Sequence, residues 1–172
     1  MAARDDEFGD FVAARYRALL RTGLALTGDL GHAEDLAQSA LIKTYLAWGR
    51  LREVANAESY ARRTLVRLAL RERQRRWHGE ISAERLPEPD ATSASETGEH
   101  DDLAIDVHRA LAALPAEQRA VLVLRYLDDQ TEAETAHLLG ISPGTVKSRA
   151  SRGLASLRQA GLLVTEGDRH DG

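Results

Sequence analysis

Apolar residues recur at helical spacing along most of this chain. Phe8, Val12, Tyr16, Leu19, Gly23 and Leu26 fall on one stripe and predict a first helix that the Gly28-Asp29 pair ends. Leu36, Ala40, Leu41, Thr44 and Trp48 line the inner side of a second helix across residues 31–48. Its other side presents Asp35, Gln38, Ser39 and Ile42, with Leu46 beside them. A solvated face is the plain reading of that strip, while its apolar members suit a protein partner. Residues 49–55 read as a loop, Asn56 as a cap, and residues 56–77 as a third helix with Ala61, Leu65, Leu68 and Ala69 inward. After an acidic stretch containing Pro87 and Pro89, the pattern resumes with Leu103, Val107, Ala110, Leu111 and Leu114. Pro115 is expected at the first position of the next helix, whose core side is Ala120, Val121, Val123, Leu124 and Leu127.

Residues 129–157 carry the strongest local signals. Thr131 and Glu134 have the spacing of a capping box, and Gly140 stands where a helix closes in a left-handed residue. Between them, Ala136, Leu138 and Leu139 supply an apolar side. Ser142 followed by Pro143 restarts the helix as N-cap and first helical residue. Val146, Ala150, Leu154 and Leu157 then form a buried stripe. The remaining surface holds Thr145, Lys147, Ser148, Arg149, Ser151 and Arg152. Residues 143–157 contain three cations and no anion. This is the pattern of a helix-turn-helix whose second helix offers hydroxyls and cations to a DNA groove. An ordinary helical hairpin with a solvated basic face is the alternative, and it leaves the single sign of charge unexplained.

The pattern predicts an all-α fold: two small helical domains joined by a flexible acidic linker, the second containing the helix-turn-helix. The expected boundaries are 1–78, 79–101 for the linker, 102–162, and 163–172 for a disordered tail.

The net charge of −4 over 172 residues looks unsuited to a nucleic-acid ligand until its distribution is considered. Residues 60–76 hold seven Arg and one Glu, whereas residues 80–102 hold eight acids and one Arg. Arg63, Arg67, Arg71 and Arg75 form an i, i+4 row that repels itself unless an anion lies against it. Tyr60 and Trp77 bracket the row and suit stacking on unpaired bases, although Tyr60 reads equally well as a core residue. With no cysteine, disulfides and thiolate metal sites are excluded, and the six His residues form no ligand-spaced group. No metal, cofactor or small-molecule substrate is therefore expected. Nor is there a catalytic constellation, since the acids concentrate in the N-terminus and linker. No apolar run approaches membrane-spanning length and the N-terminus is acidic, so a cytoplasmic protein without membrane contact is expected.

Two stretches resemble a known family. GDLGHAEDLAQSALIKTYLAW resembles region two of bacterial sigma factors, and LPAEQRAVLVLRYLDDQTEAETAHLLGISPGTVKSRASRGLASLR is similar to their region four. Covering residues 5–160, the match resembles the extracytoplasmic-function group of the sigma-70 family. The resemblance implies a non-enzymatic factor that binds core RNA polymerase, recognises promoter DNA and promotes transcription initiation. It assigns Asp35, Leu36, Gln38, Ser39 and Ile42 to polymerase binding, with Ser39 where the family usually has an acid. It assigns the minus-ten region to Tyr60, Arg63, Arg67, Arg71, Arg75 and Trp77. Here Arg67 and Arg71 replace the Asn and Asp of many relatives. Ser142, Thr145, Lys147, Ser148, Arg149 and Arg152 fall on the helix that recognises the minus-thirty-five element, and an anti-sigma factor is an expected partner. The rival is a stand-alone helix-turn-helix regulator that binds DNA as a dimer. Such a protein needs a two-fold symmetric site and has no use for the strip on the second helix or for the Arg row.

Overall fold

The computed structural model describes residues 2–51, 53–79 and 100–161, with side chains left aside at 76–79 and 100–105. Every regular element among these residues is helical, in two compact units. The first holds α1 (Ala2–Thr27), α2 (Leu30–Ala47), a 3₁₀ turn (Trp48–Arg50) and α3 (Val54–Gly79). The second holds α4 (His100–Ala113), α5 (Ala116–Leu122), a π turn (Val123–Leu127), α6 (Glu132–Leu139) and α7 (Pro143–Gln159). The linker assigned to 79–101 lies mostly outside the described residues, as does the tail from 163; α3 and α4 each reach slightly into the assigned linker span.

In the first unit the core follows the expected stripe from Leu19 onward on α1, while Phe8, Val12 and Tyr16 are half-buried and Phe11 takes the inward place. Phe11, Leu19, Leu26, Leu36, Leu41, Leu65 and Val66 are buried. A large aliphatic side chain fully removed from water contributes about 1.5–3 kcal/mol. Leu68 and Ala69 are only half-buried, and Ala57 and Val66 take the inward places instead. Gly28 closes α1 at φ +72°, and the Asp29 carboxylate caps α2 by accepting from the His32 amide. Phe8, Phe11, Tyr45 and Trp48 form an aromatic cluster with centroids 5.0–6.0 Å apart. It ties the start of α1 to the end of α2 and so fixes where the chain turns towards α3. Arg4 reinforces this by donating to the Tyr45 carbonyl at 2.9 Å. Asn56 is not the cap of α3. The helix begins at Val54, and the amides of Asn56 and Ala57 both bond the Glu53 carbonyl, which places Asn56 inside the first turn.

In the second unit Pro115 is the cap of α5 rather than its first helical residue. Its ψ of 143° is extended, and its carbonyl accepts from the Arg119 amide. Residues 120–124 are all buried: the four expected among them, and Leu122, which lies against Gly153 of α7. The chain leaves α5 through a π turn, in which the Asp128 amide bonds the Val123 carbonyl five residues back. Thr131 and Glu134 make both bonds of the capping box, at 3.1 and 2.7 Å. Gly140 closes α6 in the left-handed region at φ +67°, where a side chain is strained. Ser142 caps α7 through the Thr145 amide at 3.1 Å, with Pro143 at its first turn.

Candidate nucleic-acid interface

The inner face of α7 is set by Val146, Ala150 and Gly153, all buried, with Leu154 and Leu157 half-buried. At Gly153 the helix meets α5 closely: a Cβ there would lie 2.8 Å from Leu122 Cδ1. With about 100° per residue, this inner face leaves Gly144, Ser148, Ser151 and Arg152 on the opposite side, flanked by Lys147. All five are exposed. The helix contains no carboxylate. Thr145 is half-buried and held by Ser142, whose Oγ lies 2.8 Å from its hydroxyl. Ser142 itself is exposed at the helix start, where free amides favour an anion.

One cation of the expected set behaves differently. Arg149 lies between the inner and outer faces, and its guanidinium sits 3.3 Å from the Glu117 carboxylate on α5. Its side chain is 25% exposed, so it is not a free member of the outer face. Ser151 also stands exposed on that face, where the helical spacing had already put it, although it was not among the DNA-binding candidates.

On α3, Arg67, Arg71 and Arg75 are exposed, while Arg63 and Tyr60 are half-buried. The Arg63 Nε is shielded from solvent and has no hydrogen-bond partner. The helix's acids are engaged elsewhere: Glu58 binds Arg15 and Arg62, each at 3.0 Å, and Glu72 pairs with His32 at the start of α2. These ties orient α3 against α1 and α2, and they leave the Arg row without a carboxylate partner among the ion pairs of the described residues. Sequence reasoning missed the His32–Glu72 tie, because the two residues are forty positions apart. The Trp77 side chain lies outside the described residues.

On α2, Asp35 and Gln38 are exposed, Ser39 is half-buried and Ile42 is 62% exposed. Leu46 extends the strip at 73% exposure. Leu36 does not belong to this surface: at 1% exposure it is core, inward with Ala33, Ala37 and Ala40. Its role is to hold the helix that displays the others. One titration is shifted in this unit. The Tyr45 phenol is raised above its ordinary range because it donates to the Asp5 carboxylate at 2.7 Å and feels that carboxylate's charge.

Comparison with known proteins identifies the family. Residues 11–79 match the model of Sigma-70 region 2, and residues 104–157 match that of Sigma-70, region 4. The chain is 38% identical over 153 residues to the RNA polymerase sigma-E factor of Streptomyces coelicolor, covering 89% of this chain and 85% of that one. It is 34% identical over 161 residues to the ECF RNA polymerase sigma factor SigM of Mycobacterium tuberculosis, covering 92% and 79%. In fold it resembles the sigma factor RpoE of Bartonella quintana, solved in complex with the anti-sigma factor NepR. The TM-score is 0.72 at 21% identity, over 92% of this chain and 99% of that one. With both regions present, in order, and such identity over most of its length, the chain belongs to the sigma-70 family of RNA polymerase sigma factors, in its extracytoplasmic-function group.

Proposed function

We propose that this sigma factor reads the minus-thirty-five element through the outer face of α7 and engages the minus-ten element through the Arg face of α3. The strip on α2 would meet core polymerase. The observation that carries the proposal is the outer face of α7. Ser148, Ser151 and Arg152 stand exposed together on a helix without a carboxylate, presented by a capped and glycine-closed turn. Base edges in a major groove are read by hydroxyl and guanidinium groups, whereas phosphates need only charge. Ser148, Ser151 and Arg152 suit the first task. Lys147 at the edge and the capped start of α7 at Ser142 and Thr145 suit the second.

On α3, Arg63, Arg67, Arg71 and Arg75 supply cations for a strand leaving the duplex, and Tyr60 offers a ring for a base. The factor does no bond chemistry; transcript synthesis belongs to the polymerase it directs. Asp35, Gln38, Ser39, Ile42 and Leu46 combine hydrogen-bonding groups with exposed apolar surface, a mixture that suits a protein interface. An anti-sigma protein that covers these surfaces fits the same chemistry, as a structural relative was crystallised with such a partner. The place of action is the cytoplasm with the polymerase. In keeping with this, no described helix is long and apolar enough to cross a membrane.

The test is selection of promoter fragments from a randomised library by holoenzyme carrying the native chain, S148A, S151A, R152A or K147A. Loss of a base reader relaxes one position of the upstream element and costs about 1–3 kcal/mol there, while loss of a phosphate contact weakens all fragments alike. Unchanged selection and affinity in R152A and K147A would refute the docking of α7. A preference of the free chain for two-fold symmetric fragments would favour the dimeric regulator instead.

A further inference from the structure

The pairing of Arg149 with Glu117 bears on how tightly the chain holds DNA of any sequence. Gly153 lets α7 approach α5 at Leu122. One turn earlier on each helix, the same approach brings Arg149 and Glu117 within 3.3 Å. Arg149 lies roughly 100° around the helix from Ser148, on the side turned to α5 and away from Lys147. It is the more shielded partner, at 25% exposure against 67% for Glu117. A guanidinium so placed is paired within the fold, leaving Lys147, Arg152 and, in the last turn, Arg158 as the cations beside the outer face.

We propose that Glu117 limits the affinity of this chain for DNA of any sequence by holding Arg149 off the phosphate backbone. The proposal rests on the docking of α7 described above. Sequence-independent binding is the term set by released counterions, at a slope of about 0.9 per phosphate contact in log affinity against log salt. A cation withdrawn from that count lowers binding to every DNA alike and leaves the base readers of α7 untouched.

The experiment measures binding of the full chain to a fluorescent duplex of arbitrary sequence by anisotropy, between about 50 and 200 mM KCl. Native protein, E117Q, R149Q, E117Q/R149Q and K147Q are compared. E117Q is expected to bind more tightly and to steepen the slope by about 0.9, so that its advantage shrinks about 3.5-fold across this salt range. R149Q should keep the native slope, and E117Q should have no effect in the R149Q background. K147Q should flatten the slope by about 0.9. A mere structural role for the pair would not produce a steeper slope that depends on Arg149. If R149Q flattens the slope as K147Q does, Arg149 already holds a phosphate and the proposal is overturned while the docking of α7 stands. It is also overturned if E117Q acts equally with and without Arg149, since Glu117 then repels DNA directly. If K147Q has no effect, the docking itself fails and takes the proposal with it.

Discussion

Arg119 is a charged residue at 7% exposure in the second unit, and replacing it with methionine tests what holds that unit together. Its guanidinium donates to the carbonyls of Leu111 at 2.6 Å, Ala112 at 2.9 Å and Leu114 at 2.9 Å. These carbonyls belong to the last turn of α4 and to the residue after it, where no further helical amide follows to bond them. Arg119 thus closes α4 and fixes the bend into α5, against which α7 packs. Methionine keeps much of the stem's volume and removes every donor. The Leu111 carbonyl retains the Leu114 amide at 3.2 Å, and the exposed Ala112 can take water. The Leu114 carbonyl, on a residue at 4% exposure, is left without the guanidinium. Charge-assisted bonds contribute about 1.5–3 kcal/mol each, and an orphaned buried carbonyl costs about 1–3 kcal/mol. With one carbonyl retaining a partner and one rehydrated, the net loss should be about 2–4 kcal/mol. A unit of about 60 residues has about 3–9 kcal/mol in all. Hydrogen exchange of the full chain reads this by unit. Amides of α5 and α7 should exchange about 30- to 700-fold faster in R119M, at tenfold per 1.4 kcal/mol, while those of α1–α3 stay as they are. Native protection of α5 and α7 in R119M would refute the reasoning.

Other outcomes follow from single residues. T131A removes the hydroxyl half of the capping box, so it should lower the stability of the second unit by about 1 kcal/mol in urea unfolding. G140A places a Cβ at φ +67° and should cost about 1–2 kcal/mol by the same measurement, with nothing nearby to clash. The Tyr45 phenol is held neutral by its bond to Asp5, so its contact is present at neutral pH and lost as pH rises through the raised pKa. Ultraviolet titration should therefore show one tyrosine ionising above the others, and D5N should return it to the ordinary range.

The helix-turn-helix was legible because its determinants are local. Thr131, Glu134, Gly140, Ser142 and Pro143 each act within four residues, so spacing alone specifies the geometry. The helical stripes were legible for the same reason. What the sequence could not disclose depends on tertiary partners. Arg149 looked like one of three equivalent cations until Glu117, 32 residues away, was found beside it. Leu36 was counted both on the inner side by its spacing and in the polymerase-binding strip by the resemblance, and its burial bears out the spacing. Leu122 was not among the expected core residues, because what covers it is Gly153 of α7, 31 residues further on. The cap of α3 lies three positions before Asn56, and Pro115 caps α5 instead of opening it, because Glu53 and the extended Pro115 provide the first carbonyls of their helices.

The most direct test of the account is run-off transcription with core RNA polymerase from a Streptomyces, with and without this chain, on a library of upstream sequences read by start site. The account predicts new start sites that share two upstream elements at fixed spacing, with R152A altering the upstream element alone. No new start sites, together with binding of the free chain to a two-fold symmetric site, would contradict it.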